Sequence, residues 1–76
     1  MISYETFRSM MDDFIKAEKS PGFKWRYEEF LKELALLVKD PDDFADAIKY
    51  MHRKIEHVDT IVRDWILQAM CRVLAN

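Results

Sequence analysis

Ile55-Glu56-His57-Val58-Asp59-Thr60-Ile61-Val62 carries neither glycine nor proline, yet two architectures part at this run. Val62, Trp65, Ile66, Ala69, Met70 and Val73 continue, in phase, the apolar stripe begun by Phe44, Ala47, Ile48, Met51, Ile55 and Val58. Read straight through, one helix of ~35 residues would be ~52 Å long and would far outreach the helices before it. A break at Asp59 instead gives the last segment an N-cap and yields four segments of similar length. The break is the better reading, because in an unbroken helix Asp59 would fall on the edge of the apolar arc. The sequence therefore predicts an all-α fold, a small four-helix bundle with helices at about 3–19, 24–39, 41–57 and 60–75. The alternative fuses the last two into one long helix, whose exposed stripe would demand a partner chain.

Working back from the joint, Asp40-Pro41-Asp42-Asp43 is a strong helix start. Asp40 can cap, Pro41 suits the first helical position, and Asp43 stands where a capping-box acceptor would. In the first segment Tyr4, Phe7, Met10, Met11, Phe14 and Ile15 recur at three- and four-residue spacing behind an N-cap at Ser3. Ser20-Pro21-Gly22 is expected to stop that helix. In the second, Phe23, Tyr27, Phe30, Leu31, Leu34, Leu37 and Val38 share one face, while Trp25 and Leu36 project almost opposite it.

The chain has 76 residues, enough for one domain spanning 1–76. Such a domain buries only about 60% of the surface exposed by its unfolded chain, so its stability rests on dense packing or on association. Cys71 is the single cysteine, which rules out a disulfide within the chain and fits a reducing compartment. The longest apolar run, Leu34 to Val38, is far short of the ~20 residues that span a bilayer. The first residues, Met-Ile-Ser-Tyr-Glu, have neither the basic nor the apolar region of a signal peptide. A cytoplasmic protein without membrane contact is expected. Net charge is −2, from 12 basic and 14 acidic side chains, so charge acts locally rather than through the whole molecule.

No string carries catalytic chemistry, and the expectation is a protein that is not an enzyme and holds no cofactor or metal. His52-Arg53-Lys54-Ile55-Glu56-His57 is one residue too long for an H-x-x-E-H metal site, and zinc needs three or four ligands. Cys71 lacks a neighbouring histidine and sits on a strongly apolar helix, away from the electropositive setting that activates a thiol. Asp40, Asp42, Asp43 and Asp46 lack the central glycine and terminal glutamate of a calcium loop, and acids at a helix start answer the helix dipole. A single glycine excludes a glycine-rich phosphate loop.

What remains is apolar surface in excess of a core. About three helix positions in seven face the core of a bundle, roughly 28 sites over ~66 helical residues. The chain supplies 32 apolar residues besides its six alanines. Leu67, Cys71 and Leu74 form a second stripe on the last helix, and Trp25 and Leu36 an outward pair on the second. Either the last helix is central, with both stripes in the core, or these residues dock a partner. The sequence favours a non-enzymatic protein-interaction module of the inhibitor, immunity, adaptor or chaperone kind. Its partner would be another protein or a second copy of the chain, met through Trp25, Arg26, Leu36, Leu67, Cys71 and Leu74. The alternative is nucleic-acid binding. Lys49, Arg53 and His57 step along one face with Tyr50 alongside, and Lys24-Trp25-Arg26-Tyr27 interleaves bases with aromatics. Neighbouring Glu28, Glu29 and Glu56, and the weak basic balance, count against it.

Overall fold

The computed structural model describes residues 4–75. They form four helices: α1 (Tyr4–Lys16), α2 (Phe23–Leu37), α3 (Pro41–Lys54) and α4 (Thr60–Leu74). The break before α4 is real, so the fused long helix is excluded. Residues 55–59 leave the helix in a turn, and α3 ends at Lys54 rather than near residue 57. The Ile55 amide still bonds back to the Met51 carbonyl, and the His57 amide to Lys54. Asp59 then takes an extended conformation (φ −61°, ψ 157°), and its carbonyl receives the Arg63 amide at 2.8 Å. Asp59 thus occupies the N-cap, but its side chain makes no capping bond.

At α3 the expected cap forms. The Asp40 carboxylate accepts the Asp43 amide at 3.2 Å, with Pro41 as the first helical residue. The amide of Asp40 bonds to the Leu37 carbonyl, so it is not free for the return bond of a capping box. The end of α1 differs from the sequence reading. The helix stops at Lys16, before Ser20-Pro21-Gly22, and the left-handed residue in the reversal is Lys19 (φ 68°). Gly22 has an ordinary φ of −85°. The cap expected at Ser3 lies outside the described residues.

A chain of aromatic rings holds the bundle together. Phe14 meets Phe23, Phe30 and Tyr27 at centroid separations of 4.5, 5.0 and 5.8 Å, and Phe7 meets Phe30 at 6.1 Å. Early α1 therefore lies on late α2, so the two helices run antiparallel. Trp65 of α4 closes over Tyr27 at 4.7 Å and Phe23 at 5.9 Å. Such ring pairs contribute about 0.5–1.5 kcal/mol each beyond their buried area, which matters in so small a core. Met11, Leu34, Leu37, Ala47, Met51, Val62, Ile66 and Ala69 are fully buried beside them. Val38, expected inside, is half exposed because α2 has already ended. Among the described residues no helix is long and apolar enough to cross a membrane.

Candidate functional site

α2 and α4 run in the same direction. Trp65 packs on Phe23 and Tyr27, whereas Arg72, Val73 and Ala75 lie beside Glu28, Leu31, Lys32 and Ala35. Between these residues lies an open groove of about 590 Å³. Leu31, Ala35, Val73 and Ala75 form its apolar floor, and Glu28, Lys32 and Arg72 form a charged rim. The Arg72 guanidinium also lies 5.9 Å from the Tyr27 ring centroid, so it is anchored at its base by the core. Val38 and Leu74, both exposed, stand at the end of the molecule where the two helices finish. A floor of small and branched apolar residues with an open mouth and a mixed-charge rim has the anatomy of a surface that receives apolar side chains.

The sequence missed this groove, since its floor draws on residues read as core (Leu31, Val73) or left unassigned (Ala35, Ala75). The second stripe of α4 was legible and lies outside the core. Leu74 is 63% exposed, Leu67 is 38% exposed, and Cys71 is exposed as a free thiol. A central α4 with both stripes buried is therefore wrong: α4 caps one side of the bundle and turns the second stripe to the outside.

Trp25 stands clear of the helix at 59% exposure. The Arg26 guanidinium lies 5.6 Å from its ring and 3.8 Å from the Asp13 carboxylate, so Arg26 ties the ring's base to α1. Trp25 and Arg26, with Met10, Asp13 and Glu29, bound a shallow hollow of about 150 Å³ between α1 and α2. Leu36 is exposed too, but Glu29 and Lys32 intervene along the same helix face, so the two do not form one patch. A further hollow of about 320 Å³ lies where the α1–α2 link meets α4, walled by Phe23, Ile61 and Trp65. Ile61, exposed there, was not singled out by the sequence.

In the nucleic-acid reading, Tyr50 is misplaced. It is only 5% exposed, and its hydroxyl donates to the Asp12 carboxylate of α1, so its ring cannot stack on a base. Burial first, then the bond to Asp12 and that residue's charge, push its pKa up to about 12, with Arg8 opposing. His57 falls in the turn after α3, so the step from Lys49 through Arg53 does not continue to it. Lys49 and Arg53 remain exposed on one helix face. Around the Tyr50 ring the structure gathers three cations, Arg8 at 5.4 Å, Arg53 at 5.8 Å and Lys54 at 5.3 Å. Lys54 and Arg53 were findable from their spacing to Tyr50. Arg8, on another helix, was not.

His52 is exposed on α3 while Glu56 and His57 lie beyond its end, and no group of three potential metal ligands occurs among the described residues. Compared with known proteins, the chain matches no family model, no curated protein and no solved structure.

Proposed function

We propose that this domain is a non-enzymatic protein-interaction module that receives apolar side chains of a partner in the groove between α2 and α4. The observation that carries the reading is that groove: an apolar floor of Leu31, Ala35, Val73 and Ala75 left open. Small domains seldom leave contiguous apolar surface without use. The outer α4 residues Leu67 and Cys71, and Trp25 with Leu36 on α2, are secondary contacts in this reading. The single free thiol fits work in a reducing, cytoplasmic setting.

The test fills the groove without touching the core. Ala35 is exposed, so Ala35→Arg places a long charged side chain over the floor while the fold is retained. Light scattering across a concentration range comes first. A wild-type dimer that Ala35→Arg converts to monomer identifies a second copy as the partner. If the wild type is monomeric throughout, both proteins serve as baits against host extract. A protein held by the wild type and lost from Ala35→Arg supports the reading; identical captured sets sink it.

A further inference from the structure

The seam between α1 and α3 carries a concentration of positive charge that the groove does not use. Arg8 comes from α1 and Arg53 and Lys54 from α3, and all three surround the one buried ring of Tyr50. Cations at 5.4 and 5.8 Å from one point are at most about 11 Å apart, close to a Debye length at ordinary salt. Among the described residues none of the three forms an ion pair with a carboxylate; the two ion pairs present join Arg26 to Asp13 and Arg63 to Asp64. Asp12 of α1 is engaged by the Tyr50 hydroxyl. Three cations without an ion pair thus share one ring in a molecule whose net charge is −2. Exposed Lys49, one turn before Arg53 on α3, extends the same side.

A bland account covers part of this. Basic residues in the last turn of a helix answer its dipole, and Arg53 and Lys54 are in the last turn of α3. The dipole does not account for Arg8, which arrives from a different helix onto the same ring. Cation–ring attraction holds each side chain in place, but it leaves the positive charges to repel one another. An oxyanion set between them would relieve that repulsion, and guanidinium forks match phosphate oxygens geometrically.

We propose that the α1–α3 seam is a phosphate-binding patch in which Arg8, Arg53 and Lys54, positioned by Tyr50, hold a phosphate oxyanion. Two sources present that chemistry, the backbone of a nucleic-acid strand and a free phosphate. With Tyr50 buried, the contact is to phosphate rather than to bases, so a strand would be held without sequence preference.

The experiment measures anisotropy of a fluorescein-labelled single-stranded oligonucleotide, and in parallel the side-chain NMR signals of Arg8 and Arg53 under titration with inorganic phosphate. For a strand contacting three cations, affinity falls about 20-fold between about 50 and 200 mM salt. Arg8→Gln, Arg53→Gln and Lys54→Gln each weaken binding and flatten the salt slope by about 0.7. Arg8→Lys and Arg53→Lys, which keep the charge, retain most of it. Arg63→Gln, away from the seam, acts as the control, and circular dichroism verifies that each variant is folded. If the oligonucleotide fails but inorganic phosphate moves the two arginine signals, and the Gln variants abolish that response, the patch serves free phosphate. Absence of both responses at low salt overturns the proposal, as does an equal loss in seam and control variants.

Discussion

The Tyr50 hydroxyl on α3 donates to the Asp12 carboxylate on α1, joining residues 38 apart in sequence. The bond is part-buried, so its loss is not fully made good by water. Tyr50→Phe is expected to cost about 1–2 kcal/mol, because hydrogen bonds to charged acceptors are stronger than neutral ones. Urea denaturation monitored by circular dichroism measures it. Since the folded pKa of Tyr50 is raised, its contribution is complete below the ordinary tyrosine range and is lost as pH rises through about 12. A stability cost that stays unchanged across that alkaline window would remove this account of the bond.

Tyr27 offers the opposite case. Its hydroxyl is buried with no hydrogen-bond partner, and burial pushes its pKa up, with Arg72 pulling the other way. Removing an unsatisfied polar group removes its desolvation cost, so Tyr27→Phe should be neutral or stabilising by up to about 1 kcal/mol. The two Tyr→Phe substitutions should therefore differ in sign. Equal destabilisation by both would mean that the Tyr27 hydroxyl has a partner.

Lys19 has a φ of 68°, in the left-handed region where a side chain crowds its own backbone. Glycine has no such penalty, although it loses more entropy on folding. Lys19→Gly is expected to stabilise by about 0.5–1 kcal/mol, which raises Tm by several degrees in a domain of this size. A thermal melt decides it, and a lower Tm would show that the Lys19 side chain makes a compensating contact.

Glu18, after α1, and Asp59, before α4, bring two carboxyl groups together. The hydrogen bond to Asp59 comes first in raising the Glu18 pKa, then desolvation, then the Asp59 charge, with Lys19 opposing. A raised folded pKa gives stability that is fully present below the ordinary glutamate range and is lost as pH rises through the shifted value. Asp59→Asn removes the second charge. The variant's Tm should therefore gain on the wild type as pH rises from the ordinary glutamate range, then level off. A difference independent of pH would mean that the two groups do not interact.

Much of the fold was readable along the chain because helices are local objects. Apolar residues at three- and four-residue spacing, with Asp40-Pro41 at one boundary and Asp59 at another, suffice to mark four helices and their inner faces. The end of α1 was misread because Ser20-Pro21-Gly22 is a strong breaker, yet the chain had already turned at Lys19 using a residue not known for it. The outer stripe of Leu67, Cys71 and Leu74 was legible as a face, but not as exposed. That depends on whether α4 is surrounded or capping.

Sequence by itself determined the number of helices, the Asp40 cap of α3 and the apolar side of each helix, since these follow from neighbours within one or two turns. Tertiary structure alone decided what lies between helices. The groove lies where α2 and α4, running in the same direction, bring Leu31 and Ala35 opposite Val73 and Ala75. The cation cluster exists because α1 lays Arg8 against a ring on α3. Crossing geometry follows from how whole side-chain surfaces fit together, and no local window of sequence contains that fit.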